Sequence, residues 1–168
     1  MLLIKKKPYS IYAITYHYVR EISKSKYPNI KGIEIKEFEN QMRFLKKNFN
    51  ILSSDEFVNI LKSNSFKKKP SVLLTFDDGY KDHFKYVFPV LKKLKISGFF
   101  FPVTSTLKRN LLLNVNKIHL ILEKVFDKKK LLNRIFEEIE LKTGKKPEDL
   151  KLEALSLKSK FDDRDTVF

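Results

Sequence analysis

Two adjacent carboxylates, Asp77 and Asp78, are the side chains in this sequence whose type and spacing best suit catalysis. Neighbouring side chains on a strand point to opposite sides, so the two carboxylates differ in environment unless the backbone turns between them. Carboxylates held differently can divide the work of a hydrolysis, one binding a cation while the other accepts a proton. The simpler alternative is a solvated turn with a capping aspartate.

The residues before this pair predict a strand that is buried on both faces. Val72, Leu73 and Leu74 form the continuous apolar run that is typical of a central parallel strand. Gly79 permits a sharp turn directly after the carboxylates. Ligands of parallel α/β sheets bind at the carboxyl ends of the strands. We therefore expect Asp77 and Asp78 to lie at a ligand-binding edge.

The rest of the first hundred residues alternates between predicted strands and predicted helices. Strands are predicted around residues 11, 51, 72 and 99, and amphipathic helices over 35–49, from 54 onward and over 84–94. Phe99, Phe100 and Phe101 are expected to form a buried strand, because three aromatic residues in a row do not alternate as an exposed platform would. The alternation predicts parallel βα units.

Beyond residue 103 the pattern becomes helical. Helices are predicted over 112–126 and 130–141, with no convincing strand afterwards. The sequence is interpreted as one α/β domain over 1–168, in which 8–103 form βα units and 104–168 a helical insertion. Four strands alone would leave an open sheet edge through which the chain could associate.

The run Thr75-Phe76-Asp77-Asp78-Gly79 is similar to the first motif of the polysaccharide deacetylases, a family of carbohydrate esterases. The resemblance implies the N-terminal part of a distorted (β/α) barrel and metal-dependent hydrolysis of N-acetyl groups on a carbohydrate, in surface-polysaccharide metabolism. It also implies that Asp77 is the catalytic base and that Asp78 is a ligand of a divalent metal, usually zinc.

Tyr16-His17 resembles the pair that ends the first barrel strand of this family near the metal. His17 is therefore expected to border the active site, although a lone histidine beside two tyrosines is more often a packed side chain. The family takes two further metal ligands from a downstream His-x-x-x-His motif. No two of the three histidines here, His17, His83 and His119, are four apart.

The family's later motifs are also missing from the sequence. We therefore expect a truncated domain, with a catalytically inactive remnant or a glycan-binding module as the alternative to an enzyme. His83 is expected on a solvated helix surface. His119 and Glu123 lie one helical turn apart, a spacing that can hold a metal, but their apolar neighbours favour ordinary packing.

The net charge of +15 raises a third class of function, binding to nucleic acid or to a membrane surface. Only five of the 35 basic residues are arginines, although arginine is preferred for bidentate phosphate and base contacts. The lysines are spread over predicted element ends, where solvated charge is usual. A nucleic-acid partner is therefore not expected, and a carbohydrate substrate is.

The sequence has no cysteine, which excludes disulfides and thiolate metal sites. No apolar run approaches the length of a membrane span. The apolar residues at the N-terminus precede the lysines, the reverse of a secretory signal, so a cytoplasmic location is expected.

Overall fold

The fold is a parallel α/β arrangement, seen in a computed structural model that describes residues 9–109 and 111–150. The first four strands and the helices between them alternate as the sequence predicts. In chain order the elements are β1 (Ile11–Tyr16), α1 (Ile35–Asn48), β2 (Asn50–Ile51), α2 (Ser54–Ser63), β3 (Ser71–Asp77), a π-helical segment (His83–Val87) that runs into α3 (Phe88–Leu94), β4 (Phe99–Phe101), α4 (Thr104–Arg109), α5 (Asn114–Lys124) and α6 (Lys128–Thr143).

The strand β3 is the centre of a four-stranded parallel sheet. β1 pairs with β3 along its length, from Ile11 opposite Ser71 to Tyr16 opposite Phe76. β2 pairs with the beginning of β3 and β4 with its end. β1 pairs with one edge of β3. The other edge of β3 is therefore shared by β2 and β4. This central position explains why β3 needs the continuous apolar run that predicted it.

The core lies between the sheet and the helices α1 and α3. Aromatic rings pack closely here, with Tyr16 stacked on Phe76 at 5.4 Å between centroids and edge-on to Phe38 at 5.2 Å. The apolar residues of α1 recur every three to four positions, as the amphipathic pattern predicts. The most deeply buried members of the core are Val19, Phe38, Met42, Val72, Leu74, Phe76 and Val87.

The prediction that all three phenylalanines of β4 belong to the core is wrong. Only Phe99 is half-buried, while Phe100 and Phe101 expose 41% and 54% of their surface. Within the described residues β4 pairs with β3 alone, so it is an edge strand whose faces are only partly covered. A run of apolar residues identifies a strand, but layers elsewhere in the chain decide whether both faces are buried.

The chain divides into two compact units, the first ending at Leu120 and the second beginning at Ile121. The division therefore falls within α5, whereas the sequence pattern changes at residue 103. The second unit contains α6, whose first turn is capped by the Asp127 carboxylate accepting from the Lys130 amide at 2.9 Å. None of the helices that the structure describes is long and apolar enough to span a bilayer.

Candidate active site

Asp77 and Asp78 lie at the carboxyl end of the central strand, where the backbone turns sharply. Asp77 is the last residue of β3 and is aligned with Phe101 of β4. Asp78 and Gly79 both have left-handed backbone angles, with φ of +70° and +67°. A Cβ on Gly79 would lie only 2.8 Å from the Cβ of Pro102. The turn therefore requires glycine at 79, while Asp78 adopts a conformation that costs a non-glycine residue roughly 1–2 kcal/mol.

The Asp78 carboxylate is held by two neighbours. Its Oδ2 accepts a hydrogen bond from the Tyr80 hydroxyl at 2.7 Å and lies 3.3 Å from Nδ1 of His17. The Asp78 side chain is largely buried, whereas the His17 side chain is 54% exposed. His17 directly follows β1, so the parallel pairing of β1 with β3 brings the two residues to the same edge. The structure thus places both residues together, at the edge where the sequence predicted a site.

Asp77 has a different environment. Its carboxylate is half-buried, and within residues 9–109 and 111–150 it takes part in no hydrogen bond or ion pair. The two carboxylates differ in hydrogen bonding even though the backbone turns at Asp78. One carboxylate is therefore fixed by hydrogen-bonding partners, and the other is available to an incoming group.

A buried polar network lies behind Asp78. Asn116 of α5, which is 6% exposed, donates to the Tyr80 hydroxyl at 2.6 Å and to the Tyr18 hydroxyl at 2.9 Å. The rings of Tyr18 and Tyr80 are 4.6 Å apart. Burial, helped by the neighbouring Tyr18 phenol and by the hydrogen bond to Asp78, raises the pKa of the Tyr80 phenol well above its ordinary value. Tyr80 therefore remains protonated and able to donate.

Sequence reasoning did not identify Tyr18, Tyr80 or Asn116 as site residues. The available signal was weak: an asparagine in a helix that also carries His119 three positions later, on the same face. In the structure Nδ1 of His119 lies 3.3 Å from the Tyr18 hydroxyl, so His119 joins the same network. The three contacting residues are distant in sequence, and only the packing of α5 brings them together.

The prediction that His83 is solvated is wrong. Its side chain is 3% exposed, and its Nε2 donates to the carbonyl oxygen of His17 at 2.7 Å. Burial lowers the pKa of His83 below its ordinary value. His83 and Val87, which are four positions apart, share the inner face of this segment, and Phe84 is 79% exposed. The apolar residues of the helix predicted over 84–94 favour Phe84 on that inner face instead.

Arg20 borders the network on the side of the π-helical segment. Its guanidinium forms an ion pair with Asp82 and lies 4.7 Å from the centroid of the Tyr18 ring. Arginine stacks readily on aromatic faces, so this contact adds to the packing of Tyr18. The same guanidinium lies 5.8 Å from the centroid of the Tyr80 ring, so Arg20 borders both tyrosines.

The described residues do not complete a catalytic metal site. Asp78 and His17 offer two donors at one place, but no group of three or more histidine, cysteine, aspartate or glutamate side chains suited to a metal occurs in the described part of the chain. A catalytic zinc ion normally has three protein ligands. The donor set present here is one short of that number.

The part of the chain that contains this strand end is similar to known proteins. A family model for polysaccharide deacetylases matches residues 64–151, which is more than half of the chain. The matched region includes β3, Asp77, Asp78, Tyr80 and Asn116. The chain belongs to the polysaccharide deacetylase family.

Two bacterial relatives match this chain over part of their own length. A Bacillus subtilis relative, YxkH, is 30% identical over 99 residues, which are 58% of this chain and 33% of that protein. The poly-β-1,6-N-acetyl-D-glucosamine N-deacetylase of Staphylococcus aureus is 31% identical over 112 residues, 60% of this chain and 38% of that protein. The chain thus matches between 33% and 38% of the length of these relatives.

Solved structures support the same fold. A de-N-acetylase from Aggregatibacter actinomycetemcomitans superposes with a TM-score of 0.52 at 25% identity, covering 61% of this chain and 42% of that one. The Streptococcus pyogenes deacetylase PplD gives a TM-score of 0.53 at 23% identity, and the superposition covers 67% of this chain and 51% of that one. The parallel α/β units are therefore part of the deacetylase barrel fold, as the sequence predicts.

Proposed function

We propose that this chain acts in the hydrolysis of N-acetyl groups on a carbohydrate polymer, with Asp77 as the catalytic base. The observation that carries the proposal is the contrast between the two adjacent carboxylates. Asp77 is free of polar partners within the described residues, and Asp78 is fixed by Tyr80 and His17. Family membership supports the reaction class. The Staphylococcus aureus relative is named for a polymer of N-acetyl-D-glucosamine, so we propose a substrate of that class.

In this mechanism the Asp77 carboxylate accepts a proton from a water molecule as the water oxygen attacks the acetamide carbon. The bond between carbon and nitrogen then breaks, and the nitrogen leaves as an amine after it takes up the proton that Asp77 accepted from the water. The products are acetate and a free amino sugar. Asp77 suits the role of base because no donor in the described part of the chain competes for its lone pairs.

We propose Asp78 and His17 as two ligands of the divalent metal, zinc, that the resemblance implies. Their donor atoms are 3.3 Å apart and lie at the same strand edge as Asp77. Bound there, a metal would supply Lewis-acid polarisation of a carbonyl group. Because the described residues offer no third ligand, this pair alone is expected to hold zinc weakly.

The incomplete donor set favours a second candidate function, binding of a glycan without hydrolysis. The two candidates share the sheet edge at the end of β3 and differ in turnover. Acetate release from N-acetyl-glucosamine oligomers separates them when it is measured together with binding of the same oligomers.

The experiment compares the unmodified chain with Asp77→Asn in the presence of zinc. We expect Asp77→Asn to reduce acetate release by about 10²–10⁴-fold, because the base is lost, while oligomer binding is retained. Asp55→Asn is the matched control, since it removes an exposed carboxylate of α2 and should leave turnover unchanged. Unchanged turnover in Asp77→Asn would refute the assignment of the base. Binding without turnover in the unmodified chain would favour the glycan-binding candidate.

A further inference from the structure

The buried amide of Asn116 controls the direction of the hydrogen bonds that reach Asp78. An ionised carboxylate only accepts hydrogen bonds, so the 2.7 Å contact between Tyr80 and Asp78 requires the Tyr80 hydroxyl to donate. The phenol oxygen must then accept at its 2.6 Å contact with Nδ2 of Asn116. An amide nitrogen carries two hydrogens, and the second reaches the Tyr18 hydroxyl at 2.9 Å. Both hydrogens of Asn116 are thus used.

The same reasoning orients the rest of the network. Because Tyr18 accepts from Asn116, its own hydroxyl hydrogen is available to Nδ1 of His119, 3.3 Å away. The network therefore runs from Asn116 in two directions, through Tyr80 to Asp78 and through Tyr18 to His119. Asn116 is 6% exposed, so water has little access to replace a lost partner.

We propose that Asn116 is a positioning residue for Asp78, acting through the hydroxyl of Tyr80. This inference deepens the proposed function and rests on it for its catalytic meaning. Asn116 does not touch Asp78. It fixes the phenol so that the hydroxyl hydrogen points at Oδ2, which leaves Asp78 in one orientation beside Asp77. Through Tyr80, a residue of α5 thus orients a carboxylate at the end of β3.

The test uses the full chain with ¹³C-labelled aspartate carboxyl groups and follows the Asp78 resonance by NMR. Loss of the signal in Asp78→Asn identifies it. Asn116→Asp keeps the size of the side chain but replaces two donors by acceptors, so the Tyr80 hydroxyl should turn away from Asp78. We expect the Asp78 signal to shift in the same direction as in Tyr80→Phe, and the double variant to show no additional shift.

Asn114→Asp is the matched control, because it makes the same charge change on an exposed residue of the same helix. It should leave the Asp78 signal at its original position. If Asn116→Asp does not fold, Asn116→Ser replaces it, since a serine hydroxyl cannot donate to both phenols. An unshifted Asp78 signal in a folded Asn116 variant, or additive shifts in the double variant, would overturn the proposal.

The carboxyl signal is independent of turnover. A shifted signal in a chain that releases no acetate would support the positioning role and count against the hydrolytic function. Acetate release that survives in Asn116→Asp, with an unshifted Asp78 signal, would support hydrolysis and refute the positioning role.

Discussion

Asp78 combines a functional side chain with an unusual backbone conformation. Along a regular strand Asp77 and Asp78 would point to opposite faces. The left-handed φ of +70° at Asp78 ends the strand at that residue, so its carboxylate can reach both His17 and Tyr80. Backbone conformations of this kind persist where surrounding contacts hold them, and they are often found at functional sites. Two hydrogen-bonding partners and the close packing of Gly79 on Pro102 provide those contacts here.

The burial of His83 predicts that the stability of the folded chain depends on pH. Its pKa is lowered by burial, so the folded chain favours the neutral ring more than the unfolded chain does. This contribution to stability is complete above the ordinary histidine pKa of about 6.5 and is lost as the pH falls below it toward the folded pKa. We expect the free energy of unfolding of the unmodified chain to decrease between pH 7.5 and 5.5, as measured by urea denaturation.

His83→Gln is the informative variant for this prediction. Its amide can still donate to the His17 carbonyl but does not titrate, so the decrease between pH 7.5 and 5.5 should become smaller. Carboxylates with lowered pKa values, such as Glu39 and Glu56, lose their contribution at lower pH, below their ordinary values of about 4.3. An equal decrease in both proteins would show that His83 is not the responsible group.

At the scale of elements, local sequence signals predicted where a helix begins. The sequence indicated that α2 begins near Ser54, and the structure shows why. Ser53 caps the helix by accepting from the Glu56 amide at 3.3 Å, and the Glu56 carboxylate accepts from the Ser53 amide at 3.0 Å. This reciprocal arrangement is a capping box, which depends only on residues three apart.

Ser53→Ala should therefore destabilise the first unit by about 1 kcal/mol, because a helix N-cap is lost. Urea denaturation followed by circular dichroism measures the change. Ser54→Ala is the matched control, since Ser54 is the exposed neighbour inside the helix and its side chain is not the cap. Equal destabilisation by the two substitutions would contradict the capping role of Ser53.

The inner face of the helix before β4 could not be read from sequence in the same way. The apolar residues of this segment predict Phe84 on the inner face, but in the structure His83 lies there. The apolar pattern does not contain this information, because His83 and Phe84 both lie at helical spacing from Val87, and only packing decides which of them faces the core.

At the scale of the whole molecule, the donor count limits metal binding. We expect zinc to bind weakly to the 168-residue chain, because the described residues supply only two ligands at this edge, Asp78 and His17. Isothermal titration calorimetry measures the affinity. Asp78→Asn should abolish the remaining binding, and Asp77→Asn should retain it. Tight binding at one zinc per chain would contradict this expectation.

The sequence by itself determined the central strand, the alternation of βα units and the position of the two carboxylates at the strand end. These features follow from local patterns, an apolar run and a glycine that permits a left-handed turn. The recognisable Thr75-Phe76-Asp77-Asp78-Gly79 run placed the chain in its family.

Tertiary structure alone decided which residues surround Asp78. His17 arrives through the parallel pairing of β1 with β3, and Asn116 arrives through the packing of α5. Burial of Asn116 and His83 and exposure of Phe101 depend on which layers cover each element. These contacts join residues far apart in the chain, and no local periodicity encodes them.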